Sequence, residues 1–460
     1  MKPLTSSQIA GAVSGRLLQG SGDEIISSVC IDTRKLQEDD MFIALQGDRH
    51  DGHNFLQEAV EKGASALLVS REDVDISSSL PIILTGNTTE ALQDLARFHR
   101  QCFPELTVVA ITGSVGKTTT KDMLAGILSR EYQVLKTSGN LNNHIGVPLT
   151  LLELEGDEDF AVLELGMSSI GEIRLLSRIS MPDIGIITNV GPSHLEDLGD
   201  VESVALGKRE LVEELPAAGT AVLNYDNKHV RRMAAHFDGS VIFYGFNLDA
   251  DIGVKKIDEQ EGGSRFWLDY RGEEVELFLT KPGRHNVYNA LAALAVGREF
   301  NIDWQQIQEG LNQAEYSDLR LDIFATAGIK IINDTYNANP LSVRAALNVL
   351  IGTGAERRIA VLGDMLELGD FAEKAHRQVG EDIAELDLDF LFCVGKLSRY
   401  IARGAVDAGM EGERVYTASG NQETINLLKN IVNTGDVVLI KGSRGMEMEE
   451  IVAGLEEWGG

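Results

Sequence analysis

Near the end of its first quarter the chain reads Thr112-Gly113-Ser114-Val115-Gly116-Lys117-Thr118-Thr119: two glycines around a short turn, then a lysine and two hydroxyls. That order suits a polyphosphate. The glycines leave backbone N–H groups free to meet phosphate oxygens, the Lys117 ammonium can bridge terminal phosphates, and the Thr118 hydroxyl can ligate magnesium. The β-branched LTVVAIT before the loop reads as a strand and TTKDMLAGILS after it as a helix, the setting in which such a loop binds ATP. The usual GxxxxGK spacing asks for glycine at 111, where Ile111 stands, so the loop is a variant. A plain glycine turn is the weaker alternative. A guanine nucleotide is disfavoured, because Asn227-Lys228-His229-Val230 lacks the aspartate of an NKxD signature.

Other residues with useful chemistry fall where apolar runs end. Glu164 closes FAVLE, and a carboxylate at a strand's carboxyl end can hold magnesium or can be an ordinary loop glutamate. His194, in NVGPSHLE, occupies an equivalent tip, although a lone histidine there is more often a packed or solvated loop residue. Lys208 lies in VALGKREL, and helix statistics alone make it a solvated face charge. Asn140, Asn142, Asn143 and His144 form a polar loop, SGNLNNHIGVP, for which turn formation is a sufficient reason. Asp334, Asp364 and Lys441 also sit at strand tips, where caps and turns compete with a binding role, and Arg320 in SDLRLD could be an interdomain ion pair.

The elements that must hold these residues follow from hydrophobic patterning. At 460 residues, and with about 150 residues per domain, roughly three domains are expected. MFIAL and SALLVS read as short strands of a small α/β module over 1–85. A helix over 88–100 opens a central domain over 86–314. There QVLKTS, FAVLELG, IGIITNV, TAVLNYD and SVIFYGF alternate with helical stretches, the pattern of a doubly wound parallel sheet. The polar stretch at 252–280 reads as a hairpin, with helices after it at 287–300 and 304–314. A Rossmann-like domain over 315–460 is built on IKIIND, RRIAVLG, DFLFCVG and DVVLIKG. The fold class is α/β.

Composition removes whole classes of function. A formal net charge of -30 opposes nucleic-acid binding, which needs clustered Lys and Arg. No apolar run is long enough to span a membrane, and Met1–Gly20 lacks a basic region followed by an apolar stretch. Cys30, Cys102 and Cys393 have neither disulfide-framework nor CxxC spacing and suit a cytoplasmic protein. A monomer is expected.

Taken together, TGSVGKTT, NLNNHIGVP, ELGMSSIGEI, ITNVGPSHLE, GKREL, HNVYNALAA, NDTYNANP and LGDMLELG resemble the Mur ligases, the ATP-dependent amide-forming enzymes of bacterial cell-wall precursor synthesis. The resemblance spans nearly the whole chain. It implies a small first domain for a UDP-sugar, using Asp32, Thr33, Arg34, Gly47, Asp51, Gly52 and His53. It implies ATP phosphates on Gly113, Ser114, Val115, Gly116, Lys117, Thr118 and Thr119, with Asn289, Arg320 and Asp334 also on the nucleotide. Magnesium would be held by Thr118, Glu164, His194 and a carbamylated Lys208, and Lys117, Glu164, His194 and Lys208 would be the catalytic set. NDTYNANP and LGDMLELG resemble the branch that adds D-alanyl-D-alanine to a UDP-muramoyl-tripeptide, with Asn142 among the substrate contacts. Folylpolyglutamate synthase, which lacks such a first module, is the nearest enzymatic rival. A partner-binding ATPase is the rival of another class.

Overall fold

The computed structural model describes residues 1–458 except 48, 49, 75, 77 and 261. Four sheets organise the described residues. A two-stranded ribbon pairs Leu4–Thr5 with Ile25–Ile26. Beside it a five-stranded sheet runs Arg16–Gln19, Ile82–Leu84, Ala66–Val69, Met41–Ile43, Val29–Cys30, with only the first pair antiparallel.

The central sheet has nine strands, in the order Glu273–Leu279, Gly263–Tyr270, Ile252–Gln260, Ser240–Gly245, Thr220–Asn224, Ile184–Ile187, Thr107–Thr112, Phe160–Glu164, Val134–Lys136. From Ile252–Gln260 onward every pairing is parallel. Side chains alternate between its two faces. Val108, Ala110, Ala161 and Leu163 enter one core, while Val109, Ile111, Phe160 and Val162 enter the other. Both faces are covered by helices, which is why these strands read as continuous apolar runs. The first core is capped by Thr88–Gln101, Gly146–Leu152, Glu172–Ser180 and Val201–Glu213. The second is capped by Lys117–Leu128, Arg284–Glu299 and Trp304–Gln313. The helix Thr88–Gln101 starts on an Asn87 cap whose side chain accepts the N–H groups of Thr89 and Glu90. Its apolar stripe joins the core of the five-stranded sheet to that of the central one.

The third large sheet runs Asp322–Thr326, Ile329–Asn333, Val437–Lys441, Arg358–Gly363, Phe390–Val394, Val415–Ala418, antiparallel only at the first pair.

One expectation is corrected. The stretch at 252–280 is a three-stranded antiparallel extension of the central sheet, because Arg271-Gly272, both at positive φ, supply a second tight turn. Lys208 lies on the helix Val201–Glu213, which turns it into the protein and leaves it 2% exposed, unlike the solvated face charge of helix statistics. The edge strands Asp322–Thr326 and Val415–Ala418 carry too little apolar alternation to be read in sequence.

Candidate active site

The strand Thr107–Thr112 delivers its last residue to a turn that only glycine can make. Gly116 has φ 84°, and a Cβ there would lie 2.3 Å from Asn289 Oδ1; at Gly113 a Cβ would lie 1.8 Å from Thr188 Oγ1. The next strand tip holds the loop in place. Asn189 accepts the Val115 N–H on Oδ1 at 3.0 Å, and its carbonyl accepts the Ser114 N–H at 3.1 Å. Lys117 and Thr118 then open a helix whose N-terminal N–H groups face the same space.

Around that loop the strand tips assemble the remaining groups. Thr118 Oγ1 donates to Glu164 Oε2 at 2.7 Å, and Asn142 Nδ2 donates to Glu164 Oε1 at 2.8 Å. Asn142 thus lines the same cavity. Its neighbour Asn143 is the turn former, accepting the N–H groups of Ile145 and Gly146. The Lys117 ammonium donates to the Gly113 carbonyl at 2.9 Å. His194, at φ 52°, places Nδ1 2.8 Å from a carboxylate oxygen of Glu367, which belongs to the LGDMLELG segment beside the third sheet. From the helix Arg284–Glu299, Asn289 accepts the Thr120 hydroxyl at 3.3 Å and donates to Asn286 at 3.2 Å.

The third sheet closes the other side. Lys441 Nζ lies 2.5 Å from Asp334 Oδ2 and donates to the Asn337 carbonyl at 2.8 Å. Arg320 stacks its guanidinium 4.0 Å from the centre of the Tyr336 ring, and its buried Nε has no hydrogen-bond partner among the described residues. The result is a cavity of about 740 Å³ lined by Lys117, Thr118, Glu164, His194, Lys208, Asn289, Arg320, Asp334 and Lys441. Asp364 does not join them, because its carboxylate accepts the N–H groups of Lys396, Leu397 and Ser398 and holds that loop.

Electrostatics follow from burial. Burial pushes the Lys208 amine well below its ordinary range, and the Lys117 cation adds to that. Lys117 is lowered by burial, against the opposing pull of Glu164. Burial raises the Glu164 carboxyl, but Lys117, Arg320 and the two hydrogen bonds outweigh it, leaving a carboxylate below the usual range.

The residues expected to hold a UDP-sugar lie apart, outside the cavity lining. Arg34 pairs with Asp32 at 2.7 Å, and the carbonyl of buried Thr33 accepts Lys62 Nζ at 2.9 Å. Gly47 donates its N–H to the His50 carbonyl at 2.9 Å. Asp51 accepts His53 Nδ1 at 2.7 Å and pairs with Arg71, while His53 Nε2 accepts the Ser70 N–H at 3.0 Å. Gly52 packs so closely on Ala44 that a Cβ would lie 2.8 Å from its backbone.

Sequence reading missed Asn286, Asn189 and Glu367. Asn286 could have been found, since it sits three residues before Asn289 on one helix face. Glu367 had no local signal, because only tertiary structure sets it against His194.

Three family models match in chain order: Mur ligase family, catalytic domain over 25–100; Mur ligase middle domain over 111–297; and Mur ligase, glutamate ligase domain over 319–444. The chain is 39% identical to the UDP-N-acetylmuramoyl-tripeptide–D-alanyl-D-alanine ligase of Bacillus subtilis, across 98% of each chain. It belongs to the Mur ligase family. As a Mur ligase it is an ATP-dependent, amide-forming enzyme. The crystal structure of MurF from Acinetobacter baumannii superimposes with a TM-score of 0.92 at 32% identity, covering 99% of each chain. MurF from Thermotoga maritima, solved with ADP, superimposes with a TM-score of 0.83 at 28% identity, covering 94% of this chain and 97% of its own.

Proposed function

We propose that this Mur ligase joins D-alanyl-D-alanine to UDP-N-acetylmuramoyl-tripeptide, forming the pentapeptide precursor of peptidoglycan and releasing ADP and phosphate. The observation that carries the reading is full-length similarity to ligases of that name, coupled to a cavity in which phosphate-loop, carboxylate and lysine groups converge. In this reading 1–85 holds the UDP-sugar end, 86–314 the ATP, and 315–460 the dipeptide and part of the nucleotide. The catalytic unit in this reading is a monomer. No helix among the described residues is long and apolar enough to cross a membrane. A nucleotide-linked substrate and ATP support a cytoplasmic reaction.

A carboxylate is a poor electrophile, and ATP corrects this. A tripeptide carboxylate oxygen attacks the γ-phosphorus, the bond to ADP breaks, and an acyl phosphate results. Lys117, with the N–H groups of residues 113–119, offsets the charge of two approaching anions, and Arg320 approaches from the opposite wall. The dipeptide's neutral amine then attacks the acyl carbon. Collapse of the tetrahedral adduct breaks the bond to phosphate and leaves the amide. The adduct also releases the amine's proton; Glu367 holds His194 Nδ1, which leaves Nε2 as the ring nitrogen turned to other partners.

The oxygen donors Thr118 Oγ1 and Glu164, 2.7 Å apart at the mouth of the loop, fit magnesium, a hard cation that prefers such ligands. When bound it would neutralise phosphate charge. A carbamate on Lys208, formed when the neutral amine adds to carbon dioxide and releases a proton, would add negative charge beside these donors. His194 completes the proposed ligand set.

The test is a coupled phosphate-release assay. Release should require both UDP-muramoyl-tripeptide and D-alanyl-D-alanine; release with ATP alone, or with tetrahydrofolate and glutamate, would overturn the reading.

A further inference from the structure

Arg320 is delivered to the cavity by a strained turn. Leu319 and Leu321, on either side of it, have φ 63° and 52°, a left-handed conformation that branched side chains rarely adopt. Such a turn persists only where its surroundings hold it. Here the Leu319 N–H donates to Asp322 Oδ2 at 2.5 Å, and the Leu319 carbonyl accepts the Tyr336 N–H at 3.1 Å. The third restraint comes from the central domain. Lys281 Nζ donates to the Arg320 carbonyl at 2.7 Å and lies 3.6 Å from Asp322 Oδ1, with its side chain only 12% exposed. The same ammonium rests 4.6 Å from the centre of the Tyr316 ring.

Lys281 does not line the cavity. It stands between the strand Glu273–Leu279 and the helix Arg284–Glu299, two residues before Gly283 and close in sequence to Asn286 and Asn289. One more clamp ties the linker to the phosphate loop. Buried Asp122, on the helix opened by Lys117, accepts both the N–H and the hydroxyl of Ser317 at 3.0 Å.

We propose that Lys281 is a positioning residue for ATP use: by gripping the Arg320 carbonyl and the Asp322 carboxylate it holds the Leu319–Leu321 turn so that the Arg320 guanidinium faces the phosphate loop. This rests on the reading of Arg320 as an ATP contact. A lysine whose work is to fold the turn, rather than to bind substrate, should affect one substrate only.

Lys281→Met keeps the aliphatic stem against Tyr316 and removes the donor. It should lower kcat/KM for ATP by about 10- to 100-fold, the effect expected when a group acting on the phosphates is displaced by about an ångström. The KM values for UDP-muramoyl-tripeptide and D-alanyl-D-alanine should stay unchanged. Arg320→Ala should show the same ATP-selective loss, and Lys281→Met placed on Arg320→Ala should add nothing. Unaltered ATP kinetics in Arg320→Ala would remove the ATP-contact reading and the proposal with it. An impaired Arg320→Ala beside a wild-type-like Lys281→Met, or a further loss in the double variant, would overturn the positioning role alone. Asp322→Asn uncouples the same turn from the ammonium and carries the comparison if Lys281→Met does not fold. An ATP-selective loss is expected there too, and unchanged ATP kinetics refutes the proposal.

Discussion

Lys208 has the chemistry of an amine held out of water. A solvated lysine stays protonated far above neutrality and does not add to carbon dioxide, but at 2% exposure and facing the Lys117 cation this amine is pushed well below its usual range. A lowered pKa leaves more of the amine neutral and nucleophilic. If the carbamate supplies negative charge to the magnesium site, Lys208→Ala should abolish phosphate release, and small carboxylic acids added in solution should restore part of it. Full activity in the alanine variant, without any acid, would sink the role. In the sequence only the family resemblance pointed to this, because in VALGKREL nothing local distinguishes an inward lysine from a solvated one.

Among the elements, the helix Thr88–Gln101 joins the first module to the central sheet through a buried histidine. His99 is fully buried, donates from Nδ1 to the Leu151 carbonyl at 3.0 Å and accepts the Lys2 N–H on Nε2 at 2.8 Å, an arrangement only the neutral ring can make. Burial pushes its pKa down to about 4. Because the folded value is depressed, its contribution is complete above the ordinary histidine value of about 6.5 and is lost as pH falls toward the folded value; the total is on the order of 3 kcal/mol. Denaturant midpoints should therefore fall between pH 7 and pH 4.5, and His99→Gln should flatten that fall. An equally acid-sensitive variant would show that other groups govern it. The helix was legible from Ala91, Leu92, Leu95 and Ala96, whose period gives its buried face. The histidine's partners were not, since Lys2 and Leu151 lie far from it in the chain.

On the scale of the whole molecule, the cavity is a junction between the central and third sheets. Among the described residues its polar ties include His194 to Glu367, the Glu196 N–H to the Glu367 carbonyl at 3.2 Å, and the clamped linker at 316–322. An acyl phosphate hydrolyses in water, so a closing motion about that linker would protect it. Scattering should report a smaller radius of gyration with an ATP analogue and UDP-muramoyl-tripeptide than without them. Equal compactness would count against closure. The Glu367 carboxyl is held below the usual carboxylate range, first by its hydrogen bond with His194. This part of the bridge is complete above the ordinary carboxylate pKa and is lost as pH falls through the lowered value.

The sequence by itself determined the class of the fold and the centre of the chemistry. Parallel strands buried on both faces announce themselves as apolar runs, and the phosphate loop is local, with Gly113, Gly116, Lys117 and Thr118 lying within six consecutive residues. Only the tertiary structure decided what each distant polar residue does. Asn142 reaches Glu164 while Asn143 makes a turn, Asp364 holds a loop while Asp334 faces the cavity, and Lys208 points inward. The physical reason is the same in each case: a side chain's pKa and partners depend on burial and on neighbours that the folded chain brings from other sheets.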